Sequence, residues 1–227
     1  MTTTDDLLRL CPPPPGAPVV DWPAVEQSLG MPLPADYKQL AGAYGPGSFC
    51  GFLHLYHPLA PTEWVSLTGP MPATIRRQLQ HDHETGTHAV PYDPQKLFAM
   101  GVTDNGEYLF WIQDPEHGSD QWNIAVNEAR GPRWYTHKGG VADFLLAVLT
   151  GREQVPLFPR DLLDHGISFT TSPAAHGRPQ PHQSQPSSTS VDTDEIRTWA
   201  RAHGYEVNDR GRIPAAITDA WKQAHRA

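Results

Sequence analysis

A segment of very low apolar content near the C-terminus divides this sequence. Residues 171–190 contain four prolines, are rich in serine, threonine and glutamine, and include almost no large apolar side chains. Such a segment cannot bury enough apolar surface to offset the entropy lost on folding, which predicts a disordered tether. Two separate folded units are therefore expected, one on each side of it.

The part of the chain before the tether is long enough for one domain of ordinary size. Residues 12–15 are four consecutive prolines followed by Gly16. They set off residues 1–17 as a flexible tail, with a short helix expected at about residues 5–10. The predicted organisation is thus a tail, a domain over residues 18–160, the tether, and a small domain over residues 191–227.

Several classes of protein are disfavoured by simple counts. The first residues are acidic where a secretory signal needs positive charge, and no apolar run approaches the ~20 residues of a membrane span. The sequence therefore predicts a cytoplasmic protein with no membrane partner. Cys11 and Cys50 are its two cysteines. Neither a disulfide framework nor a thiolate metal site is expected from so few.

The charge of the chain is unevenly distributed. The formal net charge is −8, which by itself argues against nucleic acid as a partner for the whole molecule. Residues 1–170 contain 10 lysines and arginines against 19 aspartates and glutamates, whereas residues 192–227 contain six of each kind. The acidic excess therefore lies in the N-terminal part, and the C-terminal part is neutral.

The pattern between residues 18 and 160 mixes helices and strands. Apolar residues at helical spacing end at a glycine three times, at residues 22–29 before Gly30, 34–44 before Gly45 and 141–149 before Gly151. Strand patterns occupy residues 52–56, 98–103, 108–113 and 122–127, and the turn Asp104-Asn105-Gly106 joins the middle two into a hairpin. These elements predict an α+β domain with an antiparallel sheet.

Four short motifs in this domain carry a family resemblance. They are Trp22-x-x-Val25-Glu26-x-x-Leu29-Gly30-x-x-Leu33-Pro34-x-Asp36-Tyr37, Tyr44-Gly45-x-Gly47, Gly101-x-Thr103-Asp104-Asn105-Gly106 and Val141-x-Asp143-Phe144-Leu145. Together they resemble the SUKH superfamily, which includes fungal cell-wall-synthesis regulators and bacterial immunity proteins of polymorphic toxin systems. The resemblance implies a protein-binding scaffold without catalysis, whose partner is a toxin or another protein. On burial preference alone, Trp22, Leu29, Leu33 and Tyr37 are expected in the core.

The C-terminal part reads as a small all-α domain of two helices. Asp192 and Glu195 have the spacing of a capping box, and Gly204 ends the helix that they begin. Pro214 suits the first turn of the second helix, because its missing N–H is not needed there. Each helix has one apolar stripe, formed by Ile196, Trp199 and Ala200 in the first and by Ile217, Ala220, Trp221 and Ala224 in the second.

The loop between these helices contains Arg210-Gly211-Arg212. Gly211 has no Cβ, so its backbone can approach the floor of a minor groove only ~6 Å wide, while the two arginines extend along that groove in opposite directions. The groove is narrowest and most electronegative in A-tracts. This motif therefore predicts binding to double-stranded AT-rich DNA. Candidate phosphate contacts nearby are Arg197, Arg201 and Lys222, for which an ordinary solvated helix charge is the alternative.

The motif lies within a longer string that carries a second resemblance. The string Asp194-Glu195-Ile196-Arg197-x-Trp199-Ala200-Arg201-x-x-Gly204-x-x-Val207-x-x-Arg210-Gly211-Arg212-Ile213-Pro214-Ala215 closely resembles the DNA-binding domain of the Lsr-type nucleoid-associated proteins of actinobacteria. These are H-NS-like silencers of horizontally acquired AT-rich genes. The resemblance implies minor-groove insertion by Arg210, Gly211 and Arg212, and a location in the nucleoid.

Two departures from that family affect the expected mechanism. Asp209 stands beside the motif where the family has a neutral residue, and its carboxylate can repel phosphates or pair with Arg212. The oligomerisation domain of the family is replaced by the α+β domain. A single small module binds DNA weakly at physiological salt, so useful occupancy requires linked copies or recruitment. Either the chain forms a homo-oligomer or a partner protein recruits it.

The remaining polar patterns of the sequence do not predict a chemical site. His81-Asp82-His83-Glu84 with His88 lacks the spacing of a tetrahedral metal site and is predicted to be a polar surface loop. No motif for a cofactor or a catalytic nucleophile is recognisable, so a non-enzymatic protein without cofactors is expected. Two alternative functions stay open at this point. One is an immunity protein whose tail localises it to DNA, and the other is a module that recruits a partner enzyme, as peripheral subunit-binding domains do.

Overall fold

A computed structural model describes residues 2–16, 18–129 and 131–172, together with Trp199, Ala200, His203, Trp221 and Ala224 near the C-terminus. The chain forms two compact units, Met1–His176 and Gly177–Ala227. The division between these two units falls within residues 171–190.

The described part of the N-terminal unit contains α-helices and one antiparallel sheet. Its helices are α1 (Thr3–Leu10), α2 (Trp22–Leu29), α3 (Ala35–Tyr44), α4 (Met71–Thr85) and α5 (Val141–Leu149). Its strands are β1 (Gly47–Phe49), β2 (Leu53–Leu55), β3 (Leu97–Thr103), β4 (Tyr108–Ile112), β5 (Asn123–Asn127), β6 (Trp134–His137) and β7 (Phe169–Thr171). The strand order is β6-β5-β4-β3-β2-β1-β7, with every neighbouring pair antiparallel. The predicted α+β class with an antiparallel sheet is confirmed for this unit.

The predicted central hairpin is present as β3 and β4. Gly106 adopts a φ of 95°, which favours glycine, and its N–H donates to the Thr103 carbonyl at 2.9 Å. A register shift between Ala99 and Gly101 marks a bulge in β3. A Cβ added at Gly101 would lie 2.8 Å from the His54 carbonyl oxygen of β2. Glycine at this position therefore permits the close approach of two neighbouring strands.

The core lies against both faces of the sheet. Trp111 of β4 is fully buried, with the Tyr37 ring edge-on at 5.0 Å and the Phe98 ring stacked at 5.8 Å. Because consecutive residues of a strand point to opposite faces, Phe110 lies on the other face, where its ring is 5.5 Å from that of Trp134. Helix α5 is buried along most of its length and contacts α1, α3 and β5. None of the helices in the described residues has the length and apolar character needed to span a bilayer.

Helix α1 corrects the expectation of a flexible N-terminal tail. The short helix expected at residues 5–10 is present, and Thr2 and Asp5 form a capping box at its start. Leu7 is fully buried, and the Tyr44 hydroxyl donates to the carbonyl of Cys11. A segment that buries a leucine and receives a hydrogen bond from α3 is part of the folded unit, because releasing it would expose both groups to water.

Strand β7 extends the N-terminal unit beyond residue 160, where the domain was expected to end. It pairs with β1, and the Ser172 N–H donates to the Pro46 carbonyl at 2.9 Å. The Phe169 ring lies 4.8 Å from Tyr44 and 4.9 Å from Phe49. Thr171 therefore belongs to the sheet and not to the tether. Three residues are too few to show the alternation by which a strand is recognised in sequence.

Helix α4 corrects a third expectation, since residues 81–84 were predicted to lie in a loop. They lie in the C-terminal third of α4, a helix that buries Ile75 and Leu79 at helical spacing. The helix is hard to recognise in the sequence because its residues are mostly polar and its apolar stripe is only two residues long. Successive helical side chains diverge by about 100°, so His81, Asp82 and His83 cannot converge on one ion.

The contact between β1 and β7 leads to a testable expectation. A Cβ at Gly47 would lie 2.4 Å from the Thr170 carbonyl oxygen and equally close to the Phe169 ring. We expect Gly47→Ala to lower the free energy of unfolding of the full chain by about 1–3 kcal/mol, because the backbone of β7 must shift to relieve the overlap. Urea unfolding followed by circular dichroism measures the loss.

Gly118→Ala provides the matched control for that substitution. Nothing lies within 4 Å of the position of its added Cβ, and its φ of −64° is accessible to alanine. Its unfolding midpoint should stay close to that of the native chain. Equal midpoints for the two variants would contradict the docking of β7 against β1.

Candidate nucleic-acid interface

The C-terminal unit is described at five positions. Trp199, Ala200, Trp221 and Ala224 are helical. The rings of Trp199 and His203 stack at 4.3 Å with an interplanar angle of 23°. The backbone N–H of His203 donates to the Trp199 carbonyl at 3.0 Å, and its Nδ1 lies 2.8 Å from the same oxygen. Ala200, on the predicted apolar stripe of the first helix, is fully buried.

The residues predicted to contact DNA lie outside the described residues. This holds for the minor-groove motif Arg210, Gly211 and Arg212, and equally for the candidate phosphate contacts Arg197, Arg201 and Lys222. Their roles therefore stay predictions that rest on sequence and family resemblance.

The N-terminal unit is poorly suited to bind a phosphate backbone. Its acidic excess opposes a polyanion. Several of its basic side chains are also engaged by carboxylates at 2.5–2.8 Å, in the pairs Arg9–Asp6, Lys38–Glu26, Arg133–Glu128 and Arg152–Asp143. Arg76 lies over the Phe98 ring and donates to the Leu97 carbonyl. The acidic excess of the N-terminal part makes the C-terminal unit the better candidate for a DNA interface.

A polar cluster around His137 was not predicted from the sequence. His137 is only 3% exposed; its Nδ1 lies 2.8 Å from Glu153 Oε2 and its Nε2 lies 3.1 Å from Asp143 Oδ2. The Tyr135 hydroxyl donates to Glu153 at 2.5 Å. Hydrogen bonds from Tyr135 and His137 hold the pKa of Glu153 below its usual value, and burial, with the bond to Glu153, raises the pKa of Tyr135 to about 12.

This cluster joins strand β6 to helix α5 and the turn that follows it. Both nitrogens of the imidazole are engaged by carboxylates, and Arg152 occupies the second oxygen of Asp143. A histidine whose two nitrogens are both bound within the fold has no free position with which to activate a substrate. The cluster accordingly has a structural role, which is to hold strand β6 against helix α5 and the turn after it. Its members lie within residues 135–153 but follow no recognisable local motif, so only the packing of β6 against α5 reveals the cluster.

A second buried histidine also has a structural role. His57 Nδ1 accepts a hydrogen bond from the Leu59 N–H at 3.0 Å, and its Nε2 donates to the Ala41 carbonyl at 3.2 Å. Burial lowers the pKa of His57, which favours the neutral ring that this pattern requires. The ring thereby fixes the loop after β2 to helix α3.

A partly buried carboxylate connects two helices. Asp36, in the first turn of α3, accepts hydrogen bonds from the Tyr37 N–H at 2.7 Å and from the Ala142 N–H, at the start of α5, at 3.0 Å. Burial raises the pKa of Asp36 despite these hydrogen bonds. Its role is to satisfy N–H groups that a helix start leaves without partners.

Metal chemistry finds no support in the described residues. Among them, no group of three or more histidine, cysteine, aspartate or glutamate side chains is arranged to hold an ion. Cys11 is a buried free thiol and Cys50 a partly buried one.

Comparison with known proteins identifies the C-terminal unit. Residues 188–224 match the family model of the Lsr2 DNA-binding domain. This match agrees with the resemblance drawn from the string that contains Arg210-Gly211-Arg212. It lies wholly in the C-terminal unit, so the SUKH resemblance of the N-terminal unit stays a prediction. No solved structure matches the chain.

Proposed function

We propose that this protein is a non-enzymatic, nucleoid-associated DNA-binding protein whose C-terminal unit binds the duplex. The observation that carries the proposal is the match of residues 188–224 to the Lsr2 DNA-binding domain. Its charge distribution agrees with this assignment, because the acidic excess is confined to the N-terminal part. The C-terminal part therefore approaches DNA without a large repulsive charge of its own.

The proposed mode of binding is minor-groove insertion of the Arg210-Gly211-Arg212 loop at AT-rich sequences. Two guanidinium groups on either side of a residue without a side chain fit a narrow groove with strong negative potential. In G·C pairs the guanine amino group projects into the floor of the groove and obstructs them. Arg197, Arg201 and Lys222 are proposed to contact phosphates, which positions the loop without adding sequence preference.

The N-terminal unit is proposed to act as a protein-interaction domain. A module of fewer than 40 residues makes few phosphate contacts and binds weakly at physiological salt. Linked copies would raise its effective concentration at the duplex by a large factor. Such linkage arises if the N-terminal unit self-associates or if a bound partner delivers the chain to DNA.

Titration of the full chain against two duplexes of equal length tests the proposed function. We expect the AT-rich duplex to bind about tenfold more tightly than the GC-rich one, a difference of about 1.4 kcal/mol. If three cationic side chains contact phosphates, the logarithm of the binding constant should fall with the logarithm of salt concentration at a slope of about −3. Fluorescence anisotropy at several salt concentrations measures both quantities.

Two results would count against the proposal. Equal affinity for the two duplexes would remove the claim of AT preference while leaving DNA binding in place. Failure of the full chain to bind either duplex at low salt would remove DNA binding itself, because electrostatic attraction is strongest there.

A further inference from the structure

A groove of about 470 Å³ lies on the N-terminal unit between helix α4 and one face of the sheet. Ile75 and Leu79 form its apolar wall on α4, and Tyr108 and Trp134 form the aromatic wall on the sheet. We name it the α4 groove. Its volume falls within the ~300–1,000 Å³ typical of sites for small molecules. The residues that line it all belong to the N-terminal unit.

The aromatic wall of the α4 groove is held in place by the fold. The Trp134 Nε1–H donates to the Ala89 carbonyl at 2.9 Å, and its ring contacts those of Tyr92 and Phe110 at 5.6 and 5.5 Å. The Tyr108 N–H donates to the Asn127 side chain at 2.9 Å. Because the contacts that hold both rings are made within the fold itself, binding would cost little ordering entropy.

The lining of the groove includes negatively charged side chains. Asp82 lines it and is 8% exposed, and its one hydrogen bond in the described part of the chain comes from Gln78 Nε2 at 3.0 Å. Glu128 also lines the groove, but Arg133 binds its carboxylate. Asp82 is in the last turn of α4, where unpaired helix carbonyls add negative potential.

The described lining of the groove supplies no fixed positive charge to Asp82. It contains no lysine or arginine, and its histidine, His88, is exposed. Burying a carboxylate is costly unless a cation or several hydrogen bonds compensate. The faces of Trp134 and Tyr108 also attract cations through their ring quadrupoles. A ligand that complements the negative charge, the apolar wall and the aromatic faces therefore carries a positive group on an apolar body.

We propose that the α4 groove binds a small organic cation, a primary ammonium carried on an aromatic body. The ammonium pairs with Asp82, while the body packs between Ile75 and Leu79 on one side and Trp134 on the other. A carboxylate of the same size and shape is excluded, because it would place a second negative charge beside Asp82.

The probe for this site is 2-phenylethylammonium, with 3-phenylpropionate as its anionic counterpart of similar size. The full chain is labelled with ¹⁵N, and the indole N–H signal of Trp134 is assigned from its loss in Trp134→Phe. We expect the cation to shift that signal with a Kd of about 0.1–1 mM, which is typical of a ligand with so few atoms. The anion should leave the signal unchanged.

Two variants separate specific binding from non-specific attraction. Asp82→Asn keeps the volume of the side chain and removes its charge, and it should weaken binding of the cation at least tenfold. Glu84→Gln removes an equal charge from the exposed face of α4 and should leave the Kd unchanged. Urea unfolding of each variant establishes that the fold is retained.

Three results would overturn the proposal. They are absence of binding by 2-phenylethylammonium, equal binding of the anion, and an Asp82→Asn variant that binds as well as the native chain. A further arm uses acetyl-lysyl-phenylalanine amide, a fragment of a protein. Tighter binding of this peptide than of the free amine would assign the groove to a protein partner and would likewise overturn it. None of these outcomes depends on whether the chain binds DNA.

Discussion

Alanine at Arg210 or at Arg212 is expected to remove most of the discrimination between AT-rich and GC-rich duplexes. A contact made in the groove contributes about 1–3 kcal/mol to discrimination between bases. The expected tenfold ratio of affinities should therefore fall to about one or two in either variant. Absolute affinity for the AT-rich duplex should fall at least tenfold, because the groove-bound charge is lost as well.

The control for these variants is an arginine that is proposed to contact phosphate alone. Arg197→Ala should weaken binding to both duplexes by a similar factor and lower the salt slope by about one. The ratio of the two affinities is thus the decisive quantity, and anisotropy titrations of all three variants at one salt concentration supply it. If the ratio of the affinities for the AT-rich and GC-rich duplexes is unchanged in both loop variants, Arg210-Gly211-Arg212 does not determine the sequence preference.

The second large effect concerns the core of the N-terminal unit. Trp111 is fully buried and packs against Tyr37, Phe98 and Trp122. Trp111→Ala should lower the free energy of unfolding by about 3–5 kcal/mol, because it removes the largest side chain from the middle of the sheet and leaves a cavity. That loss is a large fraction of the total stability of an ordinary domain.

Trp64→Ala is the matched control for the core substitution. Trp64 is 61% exposed in a short 3₁₀ turn, so its removal should change the free energy of unfolding by no more than about 0.5 kcal/mol. Far-UV circular dichroism in urea suits both variants, since tryptophan fluorescence itself changes. A core variant as stable as the surface variant would contradict the packing described for β4.

The elements recognised from sequence share a clear physical signal. Helices α2, α3 and α5 have apolar residues at helical spacing and end beside a glycine, and Gly30 indeed adopts a left-handed φ of 68°. The β3–β4 hairpin combines an alternating pattern with a turn whose composition is specific. In each case local periodicity and local backbone chemistry agree, so no knowledge of distant contacts is needed.

The elements that were missed depend on distant partners. Strands β1 and β7 have three residues each and are stabilised by each other and by the Tyr44, Phe49 and Phe169 rings. Helix α4 has a sparse apolar stripe, so its polar residues resembled a loop. The α4 groove was unpredictable for the same reason, because Asp82 and Trp134 approach only when α4 packs on the sheet.

Function was easier to infer for the C-terminal unit than for the N-terminal one. A DNA-binding loop is encoded in consecutive residues, and a family match covers residues 188–224. The immunity role and the recruitment of a partner enzyme rest on resemblances that no further observation favours. The partner of the N-terminal unit is accordingly best sought by experiment on that unit's own surface.

The position of β7 has a mechanical consequence. This three-residue edge strand is the last described element before the segment that leads to the C-terminal unit. Any pulling force that reaches the N-terminal unit through that segment acts first on the hydrogen bonds between β7 and β1. Peeling away this strand would release slack of ~3.4 Å per residue before the wider sheet is strained. Strand β7 would thus detach first, and the remaining strands of the sheet would stay paired under a sudden rise in tension.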